Sequence, residues 1–245
     1  RPRRRERRTR RSELVIFIGG GSLLWRAVRS ADTAGHTVDL VCVDDQENVS
    51  GNHRILRTDD VNNDYDILRG AATDDVVFSI NNPTILRAPL VGSDLRIYNV
   101  HNGPLPTYRG LPEIAIVHAI LAGETTYGAT LHAIDTGIDT GAVFDTEDFP
   151  IDPQGGFQDV MVRGLRACHT LFERNLDAVL ADALTPITPR ARGGGYFGRS
   201  RLPYLAGHRA NPEYPRAANL GVFTPLYPDL VAALAAAPTT ESERS

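Results

Sequence analysis

The segment Ile97-Tyr98-Asn99-Val100-His101-Asn102-Gly103-Pro104-Leu105-Pro106-Thr107-Tyr108-Arg109-Gly110 holds the residues best suited to chemistry. Asn99 and His101 are two apart on an extended run, so both side chains point to one side. About thirty residues on comes Ile134-Asp135-Thr136-Gly137-Ile138-Asp139-Thr140-Gly141, an acidic loop. An amide, an imidazole and the Asp139 carboxylate in one cleft would suit acyl transfer. The amide can donate to a developing oxyanion. The imidazole can move a proton near neutral pH. The carboxylate can orient the imidazole or relay a proton through water. Spacing alone fits equally an Asn-x-His strand end and an Asp-rich turn with no chemistry.

These residues need a scaffold, and the hydrophobic pattern supplies one. Leu14 to Ile18 is an apolar run of strand length, followed by Gly19-Gly20-Gly21-Ser22 and a helical stretch from Leu23 to Ala34. Val38 to Val43, Val76 to Ile80 and Leu95 to Val100 read as further buried strands. Runs apolar on both sides predict a mostly parallel sheet covered on both faces. Ile114 to Ala122 has helical spacing with Gly123 as its stop. Ala129 to Ile134 and Ala142 to Phe149 read as two strands joined by the acidic loop, and Gly156 to Leu184 contains a long helix. The expected fold is α/β, a Rossmann-like twisted sheet with helices on both faces. Asn99 and His101 fall at the carboxyl end of a strand, where such sheets place ligands.

The segment Asn99 to Gly110 resembles the Asn-x-His-x-Ser-Leu-Leu-Pro-x-x-Arg-Gly signature of the 10-formyltetrahydrofolate-dependent formyltransferase family. Ile134 to Gly141 resembles that family's Asp-x-Gly-x-Asp-Thr-Gly loop. By this resemblance Asn99, His101 and Asp139 match the catalytic Asn, His and Asp. Leu14 to Leu24 is similar to the family's first strand and glycine turn. Ser79 to Leu86 resembles the segment lining the folate pocket, and Gly195-Tyr196-Phe197-Gly198-Arg199 a motif after the long helix. The implied co-substrate is 10-formyltetrahydrofolate, docked along the loop from Ile80 to Leu90 and the Asp139 loop. Its implied contacts are Ile80, Asn81, Leu86, Leu90, Ile134, Thr136 and Gly137. The Gly103-Pro104-Leu105-Pro106 wording looks like formyltransferase domains of nonribosomal peptide synthetases and natural-product pathways. The implied acceptor is a small amino-acid-like amine or hydroxylamine, free or on a carrier protein. A sugar nucleotide, water (a hydrolase) and an inactive binding module are the alternatives. A nicotinamide oxidoreductase would need a Gly-x-Gly-x-x-Gly pattern that the glycine turn lacks.

Composition bounds the rest. The 245 residues, 42% hydrophobic and 23% charged, suit one sizeable domain. Residues 1–12 carry eight Arg and one Glu; their +7 and the total of −4 leave −11 elsewhere. The basic block is expected to be disordered, and the acidic body argues against a nucleic-acid partner. No run reaches the roughly 20 apolar residues of a membrane span, so a cytoplasmic protein is expected. Cys42 and Cys168 are expected as buried thiols, and no Cys/His spacing suggests a metal. Residues 13–185 are expected to form the catalytic domain. Residues 186–234, rich in Pro and Gly, are expected as a loop-rich extension packed on it, and 235–245 as a disordered tail. That extension is too short for the additional β-barrel of a tRNA-directed relative. Arg109 offers its guanidinium to a ligand carboxylate or to an ion pair within the loop. His118 and His132 read as packing residues, His132 bordering the cleft; Asp135 reads as loop-shaping.

Overall fold

The computed structural model describes residues 14–190 and 194–237. The basic block 1–12 and residues 238–245, with the expectations placed on them, lie outside the described residues. A seven-stranded sheet forms the centre, in the order β3-β2-β1-β4-β5-β7-β8. Its first strand, β1 (Leu14–Gly19), leads into α1 (Gly21–Ala34), then β2 (Thr37–Val43) and the short β3 (Ile55–Arg57). A 3-10 turn over Val61–Asp64 precedes α2 (Tyr65–Ala71); β4 (Val76–Ile80) and β5 (Arg96–His101) follow. These five strands run parallel. Beyond the sheet's core order, β6 (Tyr108–Gly110) leads to α3 (Pro112–Leu121). The chain returns antiparallel in β7 (Thr126–Ala133) and β8 (Val143–Pro150). The long α4 (Phe157–Leu180) covers β7 and β8 and packs on α1.

Strand alternation divides the core. Phe17, Phe78, Tyr98 and Val100 pack under α1 and α4 in one cluster. Ile16, Ile18, Val77 and Ile97 face the other side with Leu68 of α2 and with Leu86 and Leu90. Asn99 and His101 alternate with Tyr98 and Val100, so they fall on this second face.

The C-terminal segment differs from the loop expected. It contains β9 (Gly195–Phe197), a 3-10 stretch over Arg199–His208, α5 (Tyr214–Ala217), a 3-10 turn over Gly221–Leu226 and α6 (Pro228–Ala235). Leu205, Ala217, Leu220, Leu230 and Leu234 are buried against α3 and the start of α4. Pro and Gly punctuate the sequence here, but the turns between them are wound and cover apolar surface. The strand β9 pairs in parallel with β6, Arg109 opposite Tyr196. At three residues each, neither strand has a periodicity to read.

One close approach governs where the sheet opens. Gly19, with φ +141°, ends β1 directly over the Ile80 carbonyl, and a Cβ there would overlap that oxygen. Gly19→Ala should therefore cost at least about 2 kcal/mol. Denaturant unfolding monitored by circular dichroism measures this; an unchanged midpoint would refute the close packing.

Candidate active site

The carboxyl end of β5 collects side chains from four segments. The antiparallel pairing of β5 with β7 sets Asn99 opposite His132 and His101 opposite Thr130. Directly paired residues share a face, so His132 stands beside Asn99. The loop after β7 then brings back Asp139, which adopts a left-handed conformation with φ +53°, tolerated by Asp better than by most residues. Asp135 shapes that loop, accepting bonds from the Gly137 N–H at 3.1 Å and the Thr140 hydroxyl at 2.6 Å.

The hydrogen bonds fix both imidazoles. His132 Nδ1 lies 2.8 Å from the Ala133 carbonyl. A carbonyl only accepts, so Nδ1 carries the proton and Nε2 is left as an acceptor. The Asn99 amide therefore donates to His132 Nε2, at 3.1 Å. This leaves its second N–H free. His101 Nε2 lies 2.8 Å from the Tyr108 carbonyl and donates to it. Its Nδ1 then faces Asp139 Oδ2 at 3.7 Å, while His132 Nε2 lies 3.6 Å from Asp139 Oδ1. Both separations exceed hydrogen-bonding distance. Neither ring is therefore locked onto the carboxylate. Asp139 itself is held by the Gly110 N–H, which donates to Oδ2 at 2.8 Å.

The short strand β6 thus supplies two backbone groups to the site, the Tyr108 carbonyl and the Gly110 amide. It is braced by β9 and by the ring contacts of Tyr108 with Tyr127 and Phe197. Thr130 fixes the connecting loop, donating to the Gly103 carbonyl and accepting from Leu105 N–H. Gly103 has its own reason here. A Cβ at this position would lie 2.6 Å from His101 Nε2 and 2.7 Å from the Tyr108 carbonyl. Glycine lets that bond form.

The three predicted residues Asn99, His101 and Asp139 come together. His132 was read only as a packing residue at the border, yet it links Asn99 to the Asp139 side. Its signal was Thr130 and His132 at i and i+2, matching the polar pair Asn99 and His101 across the strands. Of the folate contacts expected from resemblance, Asn81, Thr136 and Gly137 are exposed. Ile134 is half-buried, its N–H bonded to the Ile97 carbonyl. Ile80, Leu86 and Leu90 are buried in the core. The large apolar side chains exposed on these two loops are Ile85 and Ile138. Beside Asp139 on the β6 side opens a groove of about 460 Å³, lined by Leu105, Pro106, Arg109, Asp139, Thr140 and Gly141, among others.

The glycine turn holds an anion already. Gly21 N–H and Trp25 Nε1–H donate to the two oxygens of Glu47, at 3.1 and 2.9 Å. The sequence showed no acid placed near this turn, because Glu47 arrives 26 residues later by way of β2. His118, read as a satisfied packing residue, has a buried Nε2 without a partner.

The structure is an α/β sheet with an amide, two imidazoles and a carboxylate gathered at one strand's carboxyl end. Residues 71–176 match the formyl transferase family model. It is 29% identical over 202 residues to the methionyl-tRNA formyltransferase of Acidiphilium cryptum, covering 74% of this chain and 64% of that protein. The chain spans less than two thirds of the length of the curated relatives it matches first. Among solved structures, a 4-N formyltransferase from Francisella tularensis superposes with a TM-score of 0.68 at 20% identity, covering 84% of this chain and 88% of that one. An N-formyltransferase from Helicobacter canadensis, solved with folinic acid and dTDP-3-aminofucose, gives 0.57 at 20% identity, covering 78% and 72%. At these identities the two structures speak for the fold.

Burial, then the nearby His101, pushes His132 down to about 4. Burial, then His208 and Arg201, pushes His118 down to about 4. Between that value and the ordinary 6.5, the unfolded chain binds protons that the folded chain refuses. Stability must therefore fall as pH drops from about 6.5 to about 4. Thermal melts across this range should show the decline, shallower in His118→Gln/His132→Gln; an equal slope in the two proteins would contradict it.

Proposed function

We propose that this protein transfers a formyl group from 10-formyltetrahydrofolate to the amine of a small acceptor. The convergence of Asn99, His101 and Asp139 at the end of β5 carries this reading. The free N–H of Asn99 is available to the formyl oxygen as negative charge develops there. His101, protonated at Nδ1, adds a second donor on the same side. Asp139, already fixed by Gly110, keeps that ring oriented and receives the proton of the attacking amine, directly or through a water. The N–C bond to the acceptor forms, the bond from the formyl carbon to N10 breaks, and the proton ends on N10. His132, neutral because it is buried, keeps Asn99 aimed.

For the co-substrate, the loop after β4 and the loop before Asp139 supply the apolar side chains Ile85 and Ile138 and the polar backbone of Asn81, Thr136 and Gly137. These suit a flat heteroaromatic ring with edge donors and acceptors. The acceptor reading follows from the sequence wording around Gly103 and from the glycine turn. Glu47 already accepts from the Gly21 amide of that turn, so a substrate phosphate there would meet a carboxylate. This favours an amino-acid-like amine or hydroxylamine over an acceptor whose phosphate docks on the turn. A sugar nucleotide bound elsewhere is the second reading, favoured by the likeness to sugar-directed structures.

Asn99→Ala and His101→Ala should each lower turnover roughly a hundred- to a thousand-fold while binding of 5-formyltetrahydrofolate persists. Incubation with 10-formyltetrahydrofolate and an amine panel, read by mass spectrometry for addition of CO, measures this. Near wild-type turnover in both variants would remove the assignment.

A further inference from the structure

We propose that Arg109 determines acceptor specificity by binding an anionic group, carboxylate or phosphate, carried by the formyl acceptor; this rests on the transfer reading above. Arg109 is the middle residue of β6. Its neighbour Tyr108 turns into the core against Tyr127 and Phe197. Strand alternation sends Arg109 the other way, where it lines the groove beside Asp139 and Thr140. The residue is half-buried, yet no described residue forms an ion pair or hydrogen bond with its guanidinium. The arginines Arg69, Arg96 and Arg174, by contrast, are matched: Arg69 with Asp75 and Asp94, Arg96 with Asp182, Arg174 with Asp145 and Glu147. A partly desolvated guanidinium without a partner is costly, and it is well shaped for bidentate recognition of an oxyanion.

Three observations assign that anion to the acceptor. No residue of the loop from Ile80 to Leu90, offered to the folate, lines this groove. Asp139 does line it, so a molecule held by Arg109 would lie against the group that accepts the amine proton. At the glycine turn, the other place for an anion, the Gly21 amide is already bonded to the Glu47 carboxylate. The sequence contains no lysine, so guanidinium groups are its only permanently charged side chains for this task.

The test compares matched amines with 10-formyltetrahydrofolate: amino acids against their carboxamides, and aminoalkyl phosphates against the corresponding amino alcohols. The anionic member of at least one pair should be preferred about tenfold or more in kcat/KM. Which pair shows it separates carboxylate from phosphate. Arg109→Gln should erase that preference and leave the KM for 10-formyltetrahydrofolate unchanged. A preference for the neutral members, a preference that survives Arg109→Gln, or a raised folate KM in the variant would overturn the proposal.

Phenylglyoxal labelling of Arg109, read by peptide mass, is independent of turnover. Saturation with 5-formyltetrahydrofolate should leave the labelling rate unchanged, and inorganic phosphate should slow it severalfold. Protection by the folate, or none by phosphate, would also overturn it. If no amine is formylated, the transfer reading fails and this labelling still decides whether Arg109 receives an anion.

Discussion

The Gly110 amide donates to the Asp139 carboxylate, and the geometry of the site depends on that bond. It joins the strand β6 to a loop that has left the sheet. With Oδ2 fixed, Oδ1 and Oδ2 face His132 and His101 at nearly equal separations. A carboxylate that made short bonds to both rings would be locked into an ion-pair network. Here the gaps leave space between acid and bases, which is what a proton in transit needs.

The two histidines differ because their backbone partners differ. His132 gives its Nδ1 proton to its neighbour's carbonyl and presents a lone pair to Asn99. His101 gives its Nε2 proton to Tyr108 and presents Nδ1 to Asp139. One ring orients an amide and the other turns its second nitrogen toward the carboxylate. Two identical side chains, 6.4 Å apart between ring centres, thus take separate roles from carbonyl placement alone.

The backbone groups that fix this arrangement belong to β6, and β6 is held by residues far along the chain. Its partner β9 follows α4, and the helical turns after β9 bury their apolar residues against α3. Part of the C-terminal segment is therefore structural support for the site. The same brace leaves Arg109 facing the groove rather than the core.

The sequence by itself determined the sheet and its chemistry-bearing end. Apolar runs of strand length, glycine stops and helical spacing marked β1, β2, β4, β5, α3, β7, β8 and α4. These signals are local, because each element buries its own face. The i, i+2 spacing of Asn99 and His101 and the second acid of the loop were legible for the same reason. Tertiary structure alone decided what these residues meet. His132 became a partner of Asn99 through antiparallel register. Glu47 reached the glycine turn because β2 lies beside β1. Ile80, Leu86 and Leu90 went into the core, and β6 found β9 across some eighty-five residues of chain. Such contacts depend on which strands lie side by side, and no single segment encodes that.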